Sequence, residues 1–194
     1  MVTAIKTIQE AYQFVRKVKV CTIFESEKCK HTSLWENVDL PEKQPGEKGW
    51  GQKVSAVWSW KNELPAIYPE DIYYGKIKGG FAVLMDMDYL RETHFESAYR
   101  PVEKLPRLQR DVYDKIRLQP RDTTNLRREA ISEFGCTKGQ FDTALKNLQI
   151  SLNIVRSNDP DLDHDVWLPF RELYFDIWQA RTVAGSDPAS RATL

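Results

Sequence analysis

The chain is poor in everything that would tie it to a membrane, a metal or a redox centre. No apolar run approaches the ~18–20 residues that cross a bilayer, and no leader-like apolar segment follows the start. The protein is therefore expected to be cytoplasmic and away from membranes. Only three cysteines occur, Cys21, Cys29 and Cys136, with no Cys-x-x-Cys pair, so they are expected to be reduced thiols. His31, His94 and His164 are scattered, and nowhere do ligands group in the fours that a structural zinc needs. No cofactor is expected. The phosphate-cradling, nucleophile-elbow, dinucleotide and zinc-protease motifs are missing as well. An excess of one charge is also absent: 28 Lys/Arg balance 28 Asp/Glu, so whole-chain electrostatics announce no nucleic acid.

What the chain does have is uneven. Residues 101–157 hold 11 Lys/Arg against 7 Asp/Glu, and residues 158–180 hold 1 against 6. The basic stretch reads as three helices. The first spans about 106–118, with Leu108, Val112, Tyr113 and Ile116 inward, and Pro120 ends it. The second spans about 123–134, capped by Asp122 or Thr123, with Leu126, Ala130 and Ile131 inward and Gly135 just past its end. The third spans about 138–150 and opens on Thr137-Lys138-Gly139-Gln140, a capping box. Its apolar residues Phe141, Ala144, Leu145, Leu148 and Leu152 share one face. A strand at Ile154-Val155-Arg156 and a return at Val166-Trp167-Leu168 would make a wing, and Leu173–Trp178 a last strand or helical turn.

The N-terminal half is expected to begin with a helix over 3–18, capped at Thr3 or Thr7. A strand near Val18–Phe24, a short helix within His31–Val38, and a Pro/Gly-rich loop over 39–53 follow. Residues 72–85 predict a hairpin with Gly79-Gly80 at the turn, and a helix from Asp88 to Tyr99 is capped at Asp86 or Asp88. No internal repeat is visible. The expected organisation is an N-terminal α/β unit over 1–100, a C-terminal winged-helix unit over 101–180 and a flexible tail over 181–194.

A winged helix points to nucleic acid. On the third helix the outward residues are Gly139, Asp142, Thr143, Lys146, Asn147 and Ile150. Thr143, Lys146 and Asn147 suit base edges or phosphates, whereas Asp142 would repel the backbone. Arg121, Arg127, Arg128 and Lys138 are candidate phosphate contacts. Asp159, Asp161, Asp163 and Asp165 make the wing tip acidic, a poor phosphate clamp. Their spacing invites a calcium-loop reading, but His164 falls where the loop needs Gly and Phe170 where it needs Glu. In the N-terminal half, Trp50, Trp58, Trp60, Tyr73 and Tyr74 lie near Lys61, Lys76 and Lys78. Trp58, Trp60 and Tyr74 are candidate base-stacking residues, with Lys76 and Lys78 on the hairpin as phosphate contacts. The competing reading for these aromatics is a packed core with Lys stems laid over it.

Several segments taken in order carry a family resemblance. They are Val20-Cys21-Thr22-Ile23-Phe24, Leu34-Trp35, Trp58-Ser59-Trp60-Lys61-Asn62-Glu63-Leu64-Pro65, Tyr73-Tyr74-Gly75-Lys76 and Phe141-Asp142-Thr143-Ala144-Leu145-Lys146-Asn147-Leu148-Gln149. The chain resembles the AlkZ-related proteins, short bacterial relatives of the AlkZ (YcaQ-type) winged-helix DNA glycosylases, over most of residues 5–178. The resemblance implies tandem winged-helix units in an α+β fold and DNA as partner. For the complete enzymes it also implies excision of alkylated or crosslinked bases, with a Gln-x-Gln or Gln-x-Asp motif positioning the water. That motif is not found here: Gln149-Ile150-Ser151 has Ser at its third position, and no catalytic residue carries over. Three functions stay open at this point: a DNA-binding protein without excision activity, an active glycosylase on alkylated bases, and a protein-interaction module favoured by the neutral net charge.

Overall fold

In the computed structural model the described residues are 4–162 and 164–184. They divide into two compact units, one running to Leu90 and the other starting at Arg91, with a short segment from Asn158 grouped with the first. Both are mixed α+β and each carries one small antiparallel sheet.

The N-terminal unit starts with α1 (Ile8–Val18). Thr7 caps it: its hydroxyl accepts from the Glu10 amide while the Glu10 carboxylate accepts from the Thr7 amide, a reciprocal box that fixes where the helix starts. The helix expected from residue 3 therefore begins later. Ile5 instead bridges Val38, and Thr3 lies outside the described residues. Lys19, at φ 68°, ends the helix and turns the chain into β1 (Val20–Thr22). A second box, Ser33 with Glu36, starts α2 (Leu34–Asn37).

Then α3 (Gln52–Ile67) takes in the whole aromatic segment. Its Pro65 sits in the final turn, where a missing amide costs one hydrogen bond at most. The hairpin β2 (Ile72–Lys76) and β3 (Ala82–Asp86) follows as expected. Gly79 and Gly80 both take positive φ, 94° and 85°, the left-handed region that a side chain would strain. β3 is the central strand, with Cys21 opposite Leu84 on one side and Tyr74 opposite Leu84 on the other. Ala11, Val15, Val57, Leu64, Ile72 and Leu84 form the core between helices and sheet. Asp86 caps α4 (Met87–Tyr89), and a π-turn over Leu90–His94 leads to α5 (Phe95–Ala98).

In the C-terminal unit a 3₁₀ turn at Val102–Lys104 precedes α6 (Arg107–Leu118). Next come β4 (Arg121–Asp122), α7 (Thr123–Phe134) and α8 (Lys138–Ile150). Asp122 caps α7, Gly135 ends it at φ 65°, and the Thr137–Gln140 box starts α8, all as the residues predict. One expectation fails: Ile131 is exposed, because the buried line of α7 runs through Leu126 and Ala130. β5 (Ile154–Arg156) and β6 (Val166–Pro169) pair, and β6 also pairs with β4. Val112, Ile116, Leu126, Phe141, Leu148 and Trp167 form the core. The last segment is helical, α9 (Phe170–Leu173) and α10 (Phe175–Ala184). The tail expected over 181–194 lies outside the described residues from 185 on.

The two units share one order. α1-β1-α2-α3-β2-β3 and α6-β4-α7-α8-β5-β6 are both helix, strand, two helices, two strands. In each sheet the third strand lies between the first and the second. A repeat invisible as sequence is thus present as topology.

Candidate nucleic-acid interface

On α3, Trp58 and Trp60 are two positions apart, hence about 200° apart around the axis. The fold separates them. Trp60 is 8% exposed and belongs to the core, whereas Trp58 is 46% exposed. Trp60 therefore has no free face for a base, and the stacking role read for it from the sequence does not fit its position. Trp50, 63% exposed, meets Trp58 edge-on at 5.8 Å between ring centroids. Phe24 lies 6.4 Å from Trp58 and 5.7 Å from Trp35. Four aromatics from four stretches of chain thus form one surface.

Two lysines brace it. Lys61 Nζ lies 4.3 Å from the Trp58 ring centroid and 5.3 Å from that of Tyr74, and donates to Asn62 Oδ1 at 2.8 Å. Lys53 Nζ lies 4.4 Å from the Trp35 centroid and 3.0 Å from a Glu42 carboxylate oxygen. Lys61 is itself buried, so its charge holds the rings in place and does not reach solvent. Of this surface the sequence singled out Trp50, Trp58 and Tyr74 but missed Phe24, Trp35 and Lys53. Only spatial assembly joins them. Tyr73 is buried on the opposite face of the strand from Tyr74. On the hairpin, Lys76 is half-buried and Lys78 is exposed in the turn.

On α8, exposed Thr143 and half-buried Lys146 and Asn147 share the side away from Phe141, Leu145 and Leu148, whereas exposed Lys138 lies in the first turn seven residues before Leu145 and on its side. Asp142 is not an isolated negative charge. Arg127 of α7 donates to one of its oxygens through Nε at 3.1 Å and Nη2 at 3.0 Å. Arg128 is exposed and donates to Asn125 Oδ1. Beside the first turns of α8 an open groove of about 510 Å³ is lined by uncharged residues, among them Leu108, Gln109, Gln140 and Thr143. At the hairpin β5–β6, Asp165 accepts from Arg156 Nε at 2.6 Å, and Asp159 accepts from the Asp161 amide at 3.0 Å. Asp163 lies outside the described residues.

The acidic residues that could hold a water beside a sugar are engaged. Asp86 is fully buried, with Arg16 Nη1 and Lys19 Nζ each 3.2 Å away and the Tyr89 amide donating at 3.0 Å. Arg16 also reaches Asp71 at 2.9 Å and lies 3.8 Å from Asp88. Glu63 accepts from the Ser59 hydroxyl. Gln149 is buried in α8 and donates to the Leu145 carbonyl at 3.2 Å. Among the described residues no group of three or more His, Cys, Asp or Glu could hold a metal ion, and no helix is long and apolar enough to cross a membrane.

No curated protein and no solved structure matches this chain. One family model does. The segments that make α1 through the β5–β6 turn fall inside residues 5–162, which the model of AlkZ-related proteins matches as a continuous stretch, and the chain belongs to that family.

Proposed function

We propose that this protein binds DNA through two winged-helix units in tandem and lacks base-excision activity of its own. The observation that carries the reading is the repeated order of helix, strand, two helices and two strands, with the third strand central in each sheet. In a winged helix the third helix addresses the nucleic acid and the last hairpin flanks it. On this reading α3 and the Lys76–Lys78 hairpin are the DNA-facing elements of the first unit, and α8 that of the second. Family membership supports DNA as the partner.

The two units are not equivalent readers. The first offers exposed Trp50 and Trp58, which suit unpaired bases. The second offers Lys138, Lys146 and Arg128 for phosphate and Thr143 and Asn147 for positioning. Its hairpin is acidic and adds no grip. Affinity is accordingly modest and strongly salt-dependent. The buried, ion-paired state of Asp86 and the burial of Gln149 support the absence of excision.

Fluorescence anisotropy with duplex and gapped DNA across a salt series tests the first claim. Affinity should fall steeply between about 50 and 200 mM salt; no measurable binding at low salt would end the DNA reading and leave a protein partner for the units. Incubation with alkylated duplex followed by alkaline cleavage tests the second. Strand breaks above the blank would make the protein a glycosylase.

A further inference from the structure

The C-terminal unit contains a second concave feature, unrelated to the outward face of α8. A half-open cavity of about 330 Å³ lies against α6, and its wall includes Tyr99, Tyr113, Asn153, Arg171 and Trp178. That volume is within the ordinary range for a small-molecule site. Its wall is built and held. The Tyr99 ring stacks on Phe95 with centroids 4.8 Å apart, and its hydroxyl accepts from Trp178 Nε1 at 3.3 Å. Asn153 is buried and donates to the Arg100 carbonyl at 3.0 Å and to Ser151 Oγ at 2.8 Å. Its neighbour Leu152 is fully buried at φ 53°, a conformation that costs energy for a branched residue and that the surroundings must enforce.

Two polar groups on this wall can donate to a ligand, the Tyr113 hydroxyl and the Arg171 guanidinium. Tyr113 is 5% exposed and Arg171 is half-buried. Among the described residues Arg171 has no carboxylate within ion-pair distance. Both groups line the same cavity. Burial, first of all, pushes the Tyr113 phenol up, with the Arg171 charge opposing, so the hydroxyl stays protonated and donates. Arg117, by contrast, is matched by Asp114 at 3.3 Å.

We propose that this cavity binds a nucleoside monophosphate, with its phosphate on Arg171 and the Tyr113 hydroxyl and its base against Tyr99 and Trp178. A guanidinium and a phenol that both donate call for anionic oxygens. Aromatic walls call for a planar ring. The carboxylates of Glu103 and Asp114, which also line the cavity, accept from amino or sugar hydroxyl groups. Inorganic phosphate would leave the rings unused, and a nucleoside would leave the cation unused. The site lies wholly within one unit and does not depend on the DNA reading.

Calorimetric titration of the full chain with the four common nucleoside monophosphates tests it, with adenosine and inorganic phosphate as probes of the two halves. At least one monophosphate should bind saturably, about tenfold or more tighter than either half-ligand. Tyr113→Phe removes only the hydroxyl and keeps the ring in the core, so thermal stability should change little while binding weakens about tenfold; Arg171→Gln should weaken binding as much or more. Absence of saturable binding by all four at millimolar concentration overturns the proposal. So does equal binding of adenosine, or binding that Tyr113→Phe leaves untouched.

Discussion

Arg127 and Asp142 neutralise each other across the two helices that face outward in the C-terminal unit. Two guanidinium nitrogens, at 3.1 and 3.0 Å, converge on a single carboxylate oxygen. Both residues were read separately from the sequence, one as a phosphate contact and the other as a charge that repels phosphate. Paired, they cancel, and the guanidinium also lies 5.6 Å from the Phe141 ring centroid.

The pair gives two predictions of opposite sign. Asp142→Asn removes the negative charge and frees a guanidinium on the α8 side, so duplex affinity at low salt should rise about three- to tenfold with a steeper salt dependence. Arg127→Gln uncovers the Asp142 carboxylate at the same low salt, where screening is weakest, so affinity should fall by a similar factor. The stability cost of either is small, about 1 kcal/mol or less for a pair this exposed. Anisotropy titrations of both variants check this. A large loss for Arg127→Gln with no gain for Asp142→Asn would show that Arg127 contacts DNA directly and that the ion pair opens on binding.

The tryptophans of α3 should divide by face. Trp50→Ala and Trp58→Ala each remove an exposed ring, so each should leave the unfolding midpoint nearly unchanged and cost about 1–3 kcal/mol of binding to gapped or single-stranded DNA. Trp60→Ala opens a cavity in the core and should cost about 3–5 kcal/mol of stability. Urea melts alongside oligonucleotide titrations separate the two effects. Loss of stability in Trp58→Ala equal to that in Trp60→Ala would place both rings in the core.

What could be read from the sequence was local. Thr137 with Gln140, Thr7, Asp122, Gly135 and Gly79-Gly80 act within four residues of chain, and each sits where its side chain or its lack of one predicts. What could not be read needed the third dimension. α3 is apolar on several sides, so no periodic stripe distinguishes the Trp58 side from the Trp60 side. Phe24, Trp35, Trp50 and Trp58 meet only because β1, α2 and α3 pack together. Arg127 finds Asp142 across a turn that the sequence marks without fixing the angle between the helices.

The capping carboxylates predict an acid limb to stability. The Glu10 carboxylate accepts from the Lys6 amide at 2.7 Å and from that of Thr7, and these bonds hold its pKa below the ordinary 4.5. Glu36 is lowered by the Ser33 hydroxyl and amide, and Asp122 by the Asn125 amide. In each case the folded pKa lies below the unfolded one, so the unfolded chain takes up protons first as pH falls. The contribution is complete above about 4.5 for the glutamates and is lost as pH drops through the folded values. Urea midpoints should therefore fall between about pH 5 and pH 3. Glu10→Gln with Glu36→Gln should start lower and fall less steeply. Parallel curves for wild type and variant would show that other carboxylates govern the acid limb.

Cys21 should be the least reactive of the thiols. It is fully buried in β1, opposite Leu84, and burial pushes its pKa up to about 12. Only the thiolate attacks a reagent, so Cys21 lacks both access and ionisation, whereas Cys29 is only half-buried in the turn after Ser26. The same shift acts on stability at the alkaline end. The folded pKa lies above the ordinary 9.0, so the unfolded chain releases the proton first, and this thiol favours unfolding progressively as pH rises above that value. Mass spectrometry after brief alkylation of native protein should find Cys29 modified and Cys21 unmodified, with Cys21 labelled only as urea unfolds the N-terminal unit. Rapid native labelling of Cys21 would mean that β1 opens from the sheet without global unfolding.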